Sequence, residues 1–245
     1  MKNILLILLC LSINSYGQTF KIYTIGDSTM ANKPEPDQNP ERGWGQMLPL
    51  FFNKDVQIEN HAVNGRSTRS FRDLGHWKPI YEVLKMGDYV FIQFGHNDGK
   101  MTDPTRFTNP HSSFRQNLIR YVKESQEKGA IPILFTSIAR RKFNENGVLI
   151  DSHGAYTLET RLVAQEFNIP WVDMQYFTEL LEESYGPENS KDLHLQYEKG
   201  EHPYYPEGIN DNTHLSVLGA TEIAKIAAEQ IRLLGLPISE KVRID

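Results

Sequence analysis

From Gln18 onward, short apolar runs alternate with longer stretches of helical character, and this alternation restricts the possible folds more than any other feature of the chain. The apolar runs are Phe20 to Ile25, Val56 to Glu59, Asp88 to Phe94, Ile131 to Thr136 and Pro170 to Met174. They are rich in β-branched and aromatic side chains and are bounded by polar or glycine-bearing turns, as strands are. Helices are expected over Gly43 to Phe52, Trp77 to Met86, Ser112 to Lys128, His153 to Phe167, then on to about Tyr185, and finally over Ser216 to Leu234. Strands joined by helical crossovers build a parallel sheet covered on both faces. The expected fold class is therefore α/β, a three-layer α/β/α sandwich on a five-stranded parallel sheet, formed by a single domain over residues 18–245.

Three segments fall outside this pattern. Ala31 to Glu41 is polar and rich in proline and reads as an exposed loop. Ile138 to Ser152 carries Arg140, Arg141, Lys142 and an Asn146-Gly147 turn, and reads as an excursion over a cleft. Gly186 to Asp211 reads as a long irregular loop.

The N-terminus is a separate matter. Lys2 precedes the apolar run Ile4 to Leu11, and Ser15 and Gly17 are the small residues a signal peptidase accepts, so residues 1–17 read as a secretory signal. The run is short for a bilayer span, so no membrane association is expected after cleavage. Cys10 is the only cysteine and has Leu9 before it, which departs from the lipoprotein attachment pattern. The mature chain would then hold no disulfide and no thiolate nucleophile. A secreted or periplasmic location follows, and a monomer is expected. A net charge of -5 gives no attraction for nucleic acid.

Three polar turns follow apolar strands: Gly26-Asp27-Ser28, Asn64-Gly65-Arg66 and Gly95-His96-Asn97-Asp98. In an open parallel sheet such turns open on one edge, where ligands bind. Ser28 is then a hydroxyl nucleophile candidate. The Ser28 N–H, the Gly65 N–H and the Asn97 side-chain amide are suitable donors to an oxygen that becomes negative as a carbonyl is attacked. Each turn taken alone is also what a plain tight turn or helix cap carries. Asp211-Asn212-Thr213-His214 stands just before the last helix, and a carboxylate three residues from an imidazole can orient it as the base for a serine. Taken alone, Asp211 is equally a helix cap. His61 and His96 lie in strand-end turns and suit the orientation of those loops, while the other histidines have no carboxylate at a matching spacing.

Together these blocks match a family. Gly26-Asp27-Ser28, Gly65, Gly95-x-Asn97-Asp98 and Asp211-x-x-His214 resemble, in order, the four blocks of the SGNH (GDSL) hydrolase superfamily. Gly26-Asp27-Ser28-Thr29-Met30, Asn64-Gly65-Arg66-Ser67, Phe94-Gly95-His96-Asn97-Asp98 and Asp151-Ser152-His153-Gly154 look like its rhamnogalacturonan acetylesterase branch. The resemblance implies a flavodoxin-like SGNH fold. It also implies Ser28 as nucleophile, His214 as general acid and base, Asp211 as its orienting carboxylate, and Ser28, Gly65 and Asn97 as the oxyanion hole.

The activity so implied is removal of O-acetyl groups from a secreted enzyme's polysaccharide or oligosaccharide substrate, with acetylated rhamnogalacturonan foremost. Acetylated xylan, another acetylated glycan, a general short-chain ester or noncatalytic carbohydrate binding are the alternatives. No cofactor and no metal are expected, since the chain lacks H-E-x-x-H or a comparable ligand set. Arg66, Arg69, His96 and Arg140 are the candidate substrate-binding residues. Basic groups at the cleft edge, Lys100 and Arg141 among them, suit a polyuronate. The run His202-Pro203-Tyr204-Tyr205-Pro206 is a candidate sugar-stacking surface.

Overall fold

The hydrophobic strands assemble as expected. The computed structural model describes residues 19–35 and 37–244, so the leader assigned to residues 1–17 lies outside the described residues. In chain order the first elements are β1 (Phe20–Gly26), β2 (Glu41–Arg42), α1 (Trp44–Met47), β3 (Val56–Asn60), α2 (Thr68–Asp73), α3 (Trp77–Val83) and β4 (Tyr89–Gln93). Then follow α4 (Arg115–Glu127), β5 (Ile131–Phe135), α5 (Ala155–Glu166), β6 (Trp171–Val172), α6 (Met174–Asn189), β7 (His194–Tyr197), β8 (Ile209–Ser216) and α7 (Val217–Leu233). Five strands form one sheet in the order β3-β1-β4-β5-β6. Every neighbouring pair is parallel, with Ile22 opposite Tyr89 and Gly26 opposite Gln93.

The two-residue period of the strands divides the core into two layers. Ile22, Phe91, Ile133 and Phe135 face Trp44 of α1 and Ala220, Ile223, Ala224, Ala227 and Ile231 of α7. Tyr23, Ile25, Val90, Ile92 and Leu134 face Phe71, Trp77, Ile80, Leu118, Tyr121 and Val163 on the opposite side. β1 and β4 are buried on both faces, which explains their near-continuous apolar composition. Small residues let α7 seat closely. A side chain at Gly219 would meet the carbonyl oxygen of Leu193 at 2.0 Å.

Several boundaries differ from expectation, each for a local reason. The helix expected over Gly43 to Phe52 is α1 followed by a 3₁₀ turn over Leu48–Phe51, because Pro49 has no N–H to continue the α-helical ladder. α2 escaped the sequence reading, although Ser67 and Ser70 form a reciprocal capping box at its start. The fifth strand is only two residues long, and a π turn over Pro110–Phe114 precedes α4. α6 runs past Tyr185 to Asn189, bending at Gly186 with φ 73°.

The largest correction concerns Gly186 to Asp211. Instead of an irregular loop, β7 and β8 pair antiparallel, and β2 pairs with β8 on the other side, giving a second sheet in the order β2-β8-β7. β2 and β7 are short, β8 is polar over most of its eight residues, and β2 is remote, Glu41 lying opposite Ser216, so no local pattern announces them. The expected loop over Ala31 to Glu41 is also less exposed than its composition suggests, since Lys33 and Asn39 are buried.

Candidate active site

The turn after β1 is shaped by Asp27. Its buried carboxylate oxygen Oδ1 accepts from the Thr29 N–H at 3.0 Å and the Thr29 hydroxyl at 2.9 Å. Burial pushes the carboxyl above the usual carboxylate range, against the bonds from Thr29, which lower it. Tight packing leaves no choice before it, since a Cβ on Gly26 would approach the Gln93 carbonyl to 2.7 Å. Ser28, 8% exposed, is thereby presented at the carboxyl end of the sheet.

Facing it is β8. His214 Nε2 lies 2.8 Å from Ser28 Oγ, and His214 Nδ1 lies 2.6 Å from Asp211 Oδ2. A carboxylate only accepts, so Nδ1 carries the ring proton and Nε2 is left as acceptor for the serine hydroxyl. The second oxygen of Asp211 accepts from the main-chain N–H groups of Thr213 at 2.8 Å and His214 at 2.9 Å. Burial alone would raise Asp211, but these bonds and the His214 ring hold it well below the usual carboxylate range. The pair was expected on a turn before the last helix; it lies instead on β8, which ends where Ser216 caps α7 by accepting from the Gly219 N–H. β8 is fixed by its two neighbours and by Arg141, whose guanidinium bonds Asn212 Oδ1 at 2.8 Å and Ser190 Oγ at 3.0 Å.

The other two strand-end turns are tied to the first. The Val63 N–H donates to the Gly26 carbonyl at 3.1 Å, which docks the turn after β3 on the turn after β1. Gly65 has φ 73°, the left-handed region that favours glycine. Asn97 is buried and spends one N–H of its amide on the Arg66 carbonyl at 3.1 Å, leaving the second N–H for another acceptor. Next to it, Asp98 is fully buried and accepts from the Thr68 N–H and the hydroxyls of Thr68 and Thr108 at 3.1, 2.5 and 2.7 Å. Burial pushes this carboxyl up to about 7 despite those bonds, and it braces the start of α2.

His96 packs edge-on against His153, with His153 Nε2 3.1 Å from His96 Nδ1. Burial holds both rings below the usual imidazole range, His153 at about 3 and His96 well below 6.5, and the Arg140 cation reinforces this. Two neutral rings can share one N–H between them. His96 Nε2 is then a buried nitrogen with no hydrogen-bond partner among the described residues. Arg140, expected at the cleft edge, is half-buried and bonds the carbonyls of His96 at 3.2 Å and Ser152 at 3.4 Å. Arg66 bonds the Asn64 carbonyl within its own turn, and Arg69 on α2 bonds the Pro104 carbonyl at 3.0 Å. Tyr197, His202, Tyr204 and Tyr205 cluster at the tip of the β7–β8 hairpin, Tyr197 and Tyr205 stacking at 6.1 Å. Sequence reading passed over Lys33, whose ammonium is buried between these turns, because a lysine in a proline-rich polar loop has the look of a solvated residue.

A serine, an imidazole and a carboxylate in hydrogen-bonded sequence, beside unspent amide donors, is the equipment of acyl transfer. Comparison with known proteins agrees. A family model described as GDSL-like Lipase/Acylhydrolase matches residues 22–227. The rhamnogalacturonan acetylesterase RhgT of Bacillus subtilis is 43% identical over 90% of this chain and 93% of its own. The probable rhamnogalacturonan acetylesterase YesY of the same organism is 35% identical over 90% of this chain and 96% of its own. Among solved structures, YxiM of B. subtilis superposes with a TM-score of 0.74 at 28% identity, over 89% of this chain and 57% of that longer one. Axe2, an acetylxylan esterase from Geobacillus stearothermophilus, shares the fold with a TM-score of 0.60 at 18% identity, over 88% of this chain and 94% of its own. The chain thus belongs to the GDSL-like lipase/acylhydrolase family and is an ester hydrolase similar to rhamnogalacturonan acetylesterases.

Proposed function

We propose that the protein is a carbohydrate acetylesterase that deacetylates rhamnogalacturonan through a Ser28, His214 and Asp211 acyl-enzyme mechanism. The observation that carries the mechanism is the unbroken line from Ser28 Oγ to His214 Nε2 at 2.8 Å and from His214 Nδ1 to Asp211 Oδ2 at 2.6 Å. The choice of substrate rests on the likeness to RhgT across nearly the whole chain.

In this reading Ser28 Oγ attacks the acetyl carbonyl carbon as its proton passes to His214 Nε2. Asp211 keeps the ring in the required tautomer and steadies the imidazolium. The carbonyl oxygen becomes negative and is met by the N–H groups of Ser28 and Gly65 and by the free N–H of Asn97. Collapse expels the sugar oxygen, which takes the proton from His214. Water then attacks the acetyl-serine with His214 again as base, releasing acetate and restoring Ser28. Residues 1–17 are read as a leader that delivers the enzyme, working as a monomer, to the periplasm or beyond.

Acetate release from acetylated rhamnogalacturonan, acetylated xylan and a chromogenic acetyl ester tests this proposal. Turnover that is fastest on rhamnogalacturonan and absent in Ser28→Ala is expected. Equal rates on xylan would remove the substrate assignment, and undiminished turnover by Ser28→Ala would remove the mechanism.

A further inference from the structure

One buried cation touches two of the three strand-end turns and the start of β2 without belonging to the serine, imidazole and carboxylate line. The Lys33 side chain is 1% exposed, and its ammonium meets three acceptors. These are the main-chain carbonyl of Ser28 at 2.6 Å, Asn64 Oδ1 at 2.9 Å and the Glu41 carboxylate at 2.7 Å. An ammonium has three donors, so its hydrogen-bonding capacity is fully used. A buried charge is tolerated only where it is paired and bonded, which makes this arrangement a specific one.

The acceptors are not interchangeable polar groups. Ser28 carries the hydroxyl and one of the proposed oxyanion donors. Asn64 precedes Gly65, so the peptide unit between them supplies the second donor. Glu41 opens β2, which pairs with β8 at Ser216, two residues beyond His214. The loop is also held on either flank, by the Val63 N–H on the Gly26 carbonyl and by Asn97 on the Arg66 carbonyl, while Lys33 binds the Asn64 side chain itself. With φ 73° at Gly65, the preceding peptide has conformations open to it that a non-glycine residue would forbid.

We infer that Lys33 is a positioning residue that sets the Ser28 and Gly65 N–H groups at a common oxyanion and ties both to the strand carrying His214. This rests on the serine mechanism proposed above. Lys33 acts through its neighbours and contacts no substrate, so its loss slows the chemical step and leaves substrate affinity in place. Lysine suits the task as a compact point charge that can serve three acceptors in different directions, where a planar guanidinium cannot.

Steady-state hydrolysis of p-nitrophenyl acetate by three variants tests the inference. Lys33→Met keeps the stem volume but leaves the Glu41 carboxylate without its cation. Lys33→Met/Glu41→Gln removes both charges, and Asn64→Ala removes only one acceptor and leaves the ion pair. All three are expected to fold by near-ultraviolet circular dichroism, with the single lysine variant melting lowest. A fall in kcat on the order of 10²-fold with KM within about twofold is expected for both lysine variants, and a fall on the order of tenfold for Asn64→Ala.

Wild-type kcat in the double variant would show that Lys33 only neutralises Glu41, and would overturn the inference. If the lysine variants do not fold, Asn64→Ala decides: unchanged kcat overturns the inference, and reduced kcat at constant KM supports it. An unaltered protein whose turnover does not depend on Ser28 overturns the underlying mechanism and this assignment with it. Turnover that depends on Ser28 but not on these variants overturns the assignment alone.

Discussion

His194 Nδ1 lies 3.1 Å from the main-chain carbonyl of His214, so a second imidazole fastens the active strand from behind. The other nitrogen of His194 lies 2.6 Å from Glu182 Oε1 on α6, and both side chains are buried. The helix thereby holds the strand through one ring. Glu182→Ala leaves the buried Nε2 of that ring without its partner and is expected to lower stability by about 2 to 3 kcal/mol. Urea unfolding measures it, and an unchanged midpoint would mean that β8 is held by its strand neighbours and Arg141 without the histidine.

Asp211→Asn should keep the strand and lose the reaction. An amide oxygen still accepts from the Thr213 and His214 N–H groups, so folding should change little. The amide N–H, however, cannot accept from His214 Nδ1. The ring then loses its required tautomer, and kcat should fall on the order of 10⁴-fold with little change in KM. A loss confined to KM would contradict the orienting role.

Asn97→Ala and Gly65→Ala address the oxyanion donors by different routes. The first deletes a donor and should cost on the order of 10²- to 10³-fold in kcat. The second deletes nothing, and at φ 73° with 3.7 Å to the nearest side chain it meets strain before it meets a clash. About 1 kcal/mol of stability should be lost. Single-turnover acetylation of Ser28 by p-nitrophenyl acetate separates the two, since only a displaced or missing donor slows that step.

The His96 and His153 pair predicts a pH dependence of stability. Burial holds His153 at about 3 against an ordinary value of 6.5. Between those values the unfolded chain binds a proton that the folded protein does not, so stability falls as pH drops below 6.5. Each unit contributes about 1.4 kcal/mol. His153→Gln, which retains a hydrogen bond to His96, should lose about 2 kcal/mol less than the wild type between pH 6.5 and pH 5. Parallel pH profiles for the two proteins would show that the ring is not held neutral.

The three strand-end turns were legible because a parallel sheet sends every strand's carboxyl end to one edge, so Ser28, Gly65 and Asn97 needed only their apolar strands to be grouped. The Asp211 and His214 pair was legible as a carboxylate and an imidazole able to meet, as they do at 2.6 Å, and misplaced as structure. Three residues apart suits a helical turn, and the strand that carries the pair is made by β2 and β7, which are remote or weakly patterned. The partner of Arg140 was not legible either, since its bond to the His96 carbonyl joins segments 44 residues apart.

By itself, then, the order of apolar runs and polar turns determined a three-layer sheet protein with a serine at its open edge. Tertiary structure alone decided that His214, 186 residues away, reaches that serine, and that Lys33 enters the interior. The physical reason is the same in both cases. Strand propensity and turn chemistry act over a few neighbouring residues, whereas a buried charge or a two-atom contact exists only after distant segments have supplied every partner it requires.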